Sequence, residues 1–215
     1  MSILPGFALL GAGGHALSVA DAIVSTGRSV SLYYGESLAC PQIPQQSYGG
    51  EFAKLQPDSG LLALAIGDNN DRQATWRMFQ DRVSESQLPP IVHSSAIVSP
   101  HARLEPGCVV LAGAYVGPGS CIGLGAIVNT GAIVEHETHV GEFASLAPGA
   151  ICGGGATIGA RAFLGMNSSV APKTVVGSGA VVGANSFVKD SLPDGTFAFG
   201  SPAKEAKAKF LGVER

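Results

Sequence analysis

The chain has 215 residues, of which 13% are charged, against about 25% in an average soluble domain, and its formal net charge is −3. That length allows one large domain or two modest ones, and the lack of any Lys/Arg run argues against a nucleic-acid partner. No apolar run approaches the roughly 20 residues needed to span a bilayer, and the glycine-broken start lacks a basic leader, so the chain is expected to be soluble, cytoplasmic and free of membrane partners.

In chain order, the first expected unit is a small α/β domain over residues 1–88. Phe7-Ala8-Leu9-Leu10 reads as a short strand, and the turn Gly11-Ala12-Gly13-Gly14-His15-Ala16 opens a helix with apolar spacing through Leu17, Ala20 and Val24. Arg28 to Tyr34 reads as a second strand and Leu61 to Ile66 as a third, unbroken and apolar as a buried parallel strand should be. A helix is expected from Asp71 to Val83, capped by Asn70 or Asp71. Glycines at a strand-to-helix turn let backbone N–H groups approach a phosphate, so Gly13, Gly14 and His15 are candidates for binding a nucleotide diphosphate. The further candidate substrate-binding residues follow the second and third strands: Glu36, Gly67 and Asn69. The unit is short for a full dinucleotide site, and half a site suits one nucleotide diphosphate.

Pro89-Pro90 marks a joint, and from Ile91 the chain divides into sixes without an insertion: IVHSSA, IVSPHA, RLEPGC, VVLAGA and onward to VVGANS. The second place of each six is a branched apolar residue or Cys152, and the sixth is nearly always Ala, Ser, Thr or Cys. That period predicts a β-solenoid over 91–190, three sixes to a triangular coil, with residues eighteen apart stacked at about 4.8 Å. Cys152 in an interior place is expected to be a buried, inert thiol. The tail, 191–215, is expected to leave the ladder, turn at Gly200-Ser201-Pro202 and end in a short helix.

The solenoid is chemically bland except at IVEHETHVGE, where His136 and His139 stand among Glu135, Glu137 and Glu142. A histidine beside a carboxylate can be oriented as a general base. Eighteen residues beyond His136 lies Gly154, within Gly153-Gly154-Gly155, so a bare backbone N–H is expected one coil above the imidazole, where it could hold an oxyanion during acyl transfer. A zinc site of the γ-carbonic-anhydrase kind is disfavoured, because His101 and His136 are thirty-five places apart, one short of two coils. No metal is expected.

The combination of GAGGHA, NTGAIVEHE, APGA followed by a glycine run, and GSPAK resembles the bacterial sugar acetyltransferases, among them N-acetyltransferases of nucleotide-linked 4-amino-4,6-dideoxy sugars and sialic acid O-acetyltransferases. The resemblance spans essentially the whole chain. It implies a left-handed β-helix, a homotrimer, acetyl-CoA as cosubstrate between neighbouring subunits, and a nucleotide-linked amino sugar on the N-terminal unit. It assigns His136 as general base, Glu137 as its acidic partner, Gly154 as oxyanion donor, and Gly13, Gly14 and His15 as the nucleotide loop. Coenzyme contacts are expected at Met166 and Ala184, with Lys204 toward the adenosine end. Two positions depart from the pattern: Ser145 replaces a second histidine near the thioester, and Tyr33-Tyr34 with Glu36 replaces an acidic pair near the nucleotide. The expected reaction is N-acetylation of the sugar's 4-amino group. The alternatives are O-acetylation of sialic acid or a related sugar, and a non-enzymatic trimeric scaffold that keeps a nucleotide site.

Overall fold

The computed structural model describes residues 6–56 and 60–206. The N-terminal unit runs β1 (Phe7–Leu10), α1 (Gly14–Ser25), β2 (Val30–Tyr34), β3 (Tyr48–Gly50), β4 (Leu61–Leu64) and α2 (Asn69–Phe79), with the strands parallel in the order β3-β2-β1-β4. Phe7-Ala8-Leu9-Leu10 is covered on both faces, which explains its unbroken apolar run. Strand β3 has no counterpart in the sequence reading, because Tyr48-Gly49-Gly50 shows neither alternation nor an apolar run. The second helix starts two residues before the expected place and stops four before the expected end. Its cap is Asp68, whose extended backbone lets Oδ1 accept from the amides of Asn70 (2.8 Å) and Asp71 (3.0 Å).

Seventeen two-residue strands follow, from β5 (Ile91–Val92) to β21 (Phe187–Val188), each starting six residues after the last. They stack into three parallel sheets, and every pairing joins residues eighteen apart, as in Cys121↔His139 and Ile133↔Ile151. The second places fill an apolar interior (Val110, Val116, Ile122, Val128, Val134, Leu146, Cys152), and alanines at the sixth places fit where the coil bends inward. Burial pushes the Cys152 thiol up to about 12, which makes it inert. Phe197–Phe199 forms β22 and pairs with Val181–Val182, so this part of the tail continues the ladder instead of leaving it. After the expected turn at Gly200–Pro202, β23 (Lys204–Glu205) pairs antiparallel with β22. The expected helix has an extended strand at its start, and its remainder lies outside the described residues.

The N-terminal unit sits on the sheet that contains β5, the docking face. Ile91, Val109, Leu111 and Ile127 of that face join Phe7, Val19 and Ile23 in one cluster, and Phe143 joins Leu64, Trp76 and Leu88 in another. Between them lies Arg72, wholly buried. Its Nε donates to the Gly125 carbonyl (2.7 Å) and its Nη2 to the Phe143 carbonyl (2.9 Å), Ser145 Oγ (3.1 Å) and Asn69 Oδ1 (2.8 Å). Nη1 holds the Ile66 and Gly67 carbonyls at 2.9 and 3.0 Å. Burial lowers the guanidinium to about 10, which leaves it charged at neutral pH. Burial, and secondly that charge, press the neighbouring His15 imidazole down to about 4, and its buried Nε2 finds no partner among the described residues.

Two outcomes follow from this joint. Arg72→Met should cost about 3 kcal/mol or more, because carbonyls of both units lose their donor, and denaturant unfolding should show the N-terminal unit melting early. The His15 imidazole binds its proton at about 6.5 when unfolded but only near 4 when folded, so stability should fall as pH drops through that window. His15→Gln should flatten the slope of the unfolding midpoint against pH between those values.

Candidate active site

His136 occupies the corner between β12 (Ile133–Val134) and β13 (His139–Val140). It is exposed, and its Nδ1 lies 3.1 Å from Oε2 of Glu137. A carboxylate at Nδ1 favours the proton there, which leaves Nε2 as the basic nitrogen. Glu137 adopts φ 57, a left-handed conformation that turns the chain at this corner and brings its carboxylate back onto the preceding imidazole.

Gly154 lies one coil above. A Cβ there would run into Nε2 of His136 and stand 2.6 Å from Cε1, so any larger residue would have to displace the imidazole. The carbonyl of His136 accepts from the Gly155 amide, and that of Gly154 from the Lys173 amide, both at 2.9 Å. The Gly154 N–H itself donates to no acceptor among the described residues. A basic nitrogen and a free amide thus sit side by side on one exposed edge, the pair that acyl transfer needs. His139 belongs to the next face, and neither Glu135 nor Glu142 pairs with a histidine among the described residues.

Gly13, Gly14, His15 and Gly67 gather at the carboxyl end of the N-terminal sheet, and Gly67 would place a Cβ 3.5 Å from that of His15. Around Gly13 and Gly14 nothing lies within 4 Å of a built Cβ, so both leave open surface; the conformationally demanding glycine is Gly11, at φ 146. Glu36 is exposed just past β2. Asn69 and Ser145 are bonded to each other instead of standing free: Ser145 Oγ donates to Asn69 Oδ1 at 2.6 Å, and Asn69 Nδ2 reaches the carbonyls of Arg161 and Ala162 at 3.1 Å. Both are buried in the joint with Arg72. Met166 and Ala184 are exposed on successive coils of one corner, with the Asn185 amide bonded to the Met166 carbonyl (2.8 Å), and Lys204 is exposed on β23 at the same end.

In one chain these groups do not converge. The N-terminal unit covers the docking face, whereas His136 projects from the edge where the two other faces meet. Beside Gly67 a cleft of about 710 Å³ opens between the start of α2 and Arg161, Phe163 and Val181. Arg72, Arg161 and Phe163 are absent from the sequence-derived candidates. For Arg72 a signal exists: Asn69, Arg72, Trp76 and Phe79 recur at helical spacing and are all buried. Among the described residues no group of three or more His, Cys, Asp or Glu is placed to hold a metal ion.

Residues 155–190 match the family model for the bacterial transferase hexapeptide, six repeats. A search of curated proteins finds no match. Among solved structures, a histidine-to-alanine variant of GDP-perosamine N-acetyltransferase from Caulobacter crescentus, in complex with CoA and GDP-perosamine, is 35% identical, with TM-score 0.86 over 94% of this chain and 97% of that one. The acetyltransferase domain of PglB from Neisseria gonorrhoeae, in complex with acetyl coenzyme A, is 30% identical, with TM-score 0.86 over 94% and 99%. WeeI from Acinetobacter baumannii shares the fold, at TM-score 0.77 and 19% identity over 94% and 99%. With this register, corner site and likeness along nearly its whole length, the chain belongs to the left-handed β-helix, hexapeptide-repeat family of bacterial sugar acetyltransferases.

Proposed function

We propose that the protein moves acetyl from acetyl-CoA to the 4-amino group of a nucleotide-linked 4-amino-4,6-dideoxy sugar in the cytoplasm. The observation that carries this reading is the His136 imidazole, held by Glu137, with Nε2 against the free amide of Gly154. The amine nitrogen attacks the thioester carbonyl carbon while Nε2 of His136 takes the amine proton. The carbonyl oxygen, now an oxyanion, accepts from the Gly154 N–H. Collapse breaks the carbon–sulfur bond, and the imidazolium returns its proton to the departing thiolate. Cys108 and Cys152 are buried with thiols near 12, which supports direct transfer over an acyl-enzyme on either of them. The related enzyme from Caulobacter takes GDP-perosamine, which makes GDP-linked sugars the first to test here.

The reading includes a homotrimer. The face carrying Ile97 (66% exposed), Ile151 (40%) and Phe187 (37%), with Tyr115 and Ile133 between the first two, is an apolar stripe along the solenoid interrupted only at Ser169 among the outward-facing strand residues described. Covering it with neighbouring copies would bring the His136 edge of one subunit toward the N-terminal unit of the next, which a single chain cannot do. The nucleotide diphosphate would rest on Gly13, Gly14 and His15, and acetyl-CoA would lie between subunits with its adenosine end toward Met166, Ala184 and Lys204.

Release of CoA thiol from acetyl-CoA, followed with UDP-, GDP- and dTDP-linked 4-amino sugars and with sialic acid, tests the assignment. Turnover with one amino sugar is expected, and turnover with sialic acid alone would replace it with O-acetylation. His136→Ala should lower kcat by on the order of 10²- to 10⁴-fold while acetyl-CoA binding persists. Gly154→Ala pushes a methyl into the imidazole, and a loss of about 10²-fold or more with an unchanged melting curve is expected.

A further inference from the structure

At the corner where the docking face begins, the fifth place of each six adopts left-handed backbone, and the column reads Gly107, Gly125, Phe143, Arg161 and Gly179, with Gly195 stacked above them after the six-residue spacing breaks. Side chains are costly in that conformation, so a non-glycine residue there calls for an explanation in what its side chain does. Phe143 has one: its ring lies 2.7 Å from where Gly125 would carry a Cβ and is buried against Leu64 and Leu88. Arg161, at φ 57 one coil further on, stands where that docking contact ends and the cleft of about 710 Å³ begins. Its backbone is fixed, with the amide bonded to the Glu142 carbonyl (2.8 Å) and the carbonyl to Asn69 Nδ2 (3.1 Å). Its guanidinium donates to no acceptor and pairs with no carboxylate among the described residues. Above it, Gly179 and Gly195 line the same cleft with nothing within 4 Å of a built Cβ, which leaves room beside the guanidinium.

Among the described residues one carboxylate lines the cleft, that of Asp68, which is turned to the amides of Asn70 and Asp71 at the start of α2 and does not pair with Arg161. A cation on a fixed backbone, free of partners and facing a cleft of this size, is suited to bidentate capture of a phosphate. We propose that this cleft binds a diphosphate group and that the Arg161 guanidinium is the side chain that holds it. The identity of the diphosphate rests on the acetyltransferase reading, in which both substrates carry one: the nucleotide sugar and the coenzyme. Arg161 acts on binding and touches neither the amine nor the thioester.

Calorimetric titration of the full chain with GDP, with CoA and with pyrophosphate tests this, using wild type, Arg161→Ala, Arg161→Lys and Arg161→Gly. A charged bidentate contact predicts about 10- to 100-fold weaker binding in the Ala and Gly variants, partly restored in Lys. Loss toward GDP assigns the nucleotide sugar, and loss toward CoA assigns the coenzyme. Arg161→Gly separates binding from folding, because glycine suits φ 57 and should melt at or above the wild-type temperature. Equal affinity for all three probes in wild type and Arg161→Gly would overturn the proposal, as would a wild type that binds none of them. Arg161-dependent binding of pyrophosphate without binding of GDP or CoA would keep the phosphate site and discard the acetyltransferase reading.

Discussion

A buried guanidinium, which forms no salt bridge among the described residues, holds the two halves of this protein together. Arg72 is wholly buried, yet it is solvated by the protein itself, through carbonyls of its own unit at Ile66 and Gly67 and of the solenoid at Gly125 and Phe143. A guanidinium spreads its charge over a planar fork of donors, so it can satisfy several acceptors from two bodies at once, which a compact ammonium cannot. The turn that carries Gly67 is thereby tied to the solenoid corner at Gly125 and Phe143. Burial first, and this charge second, keep His15 neutral, so the glycine turn is electrostatically linked to the joint behind it.

The other organising constraint is the six-residue register. Because each pairing joins residues eighteen apart, the relation between His136 and Gly154 is a strand spacing, fixed by backbone hydrogen bonds and independent of side-chain packing nearby. Geometry of this kind needs no loop within the chain to hold it. Most of the left-handed corner places hold glycine, and three of the exceptions have an evident purpose, since Glu137 orients the His136 imidazole, Phe143 anchors the N-terminal unit and Arg161 faces the cleft.

Legibility from sequence followed the range of the interactions. The solenoid, its interior residues and the stacking of Gly154 over His136 are periodic, so the spacing alone locates them. The orientation of His136 by Glu137 is a contact between chain neighbours and was equally readable. The docking was not. Arg72 reaches Gly125 across 53 residues and Ser145 across 73, and no local pattern marks those partners. For the same reason Asn69 and Ser145, expected at substrate and coenzyme, could not be foreseen as bonded to each other across 76 residues. Strand β3 was invisible because it is only three residues of Tyr and Gly, paired to its neighbour through the backbone. Phe197–Phe199 escaped because the residues from 189 to 196 break the six-residue spacing before the chain rejoins the sheet.

The uninterrupted stacking also limits how such a chain can change length. Removing one residue turns every later side chain to the wrong side, and removing six advances the chain by one face of the triangle, so that docking residues would meet solvent. Only a whole coil of eighteen can be lost or gained without disturbing the faces. The edge that carries His136 and Gly154 therefore behaves as a ruler graduated in coils of about 4.8 Å. In this architecture the distance along an edge changes in steps, and a site spread over several coils could be lengthened only by a whole coil at a time.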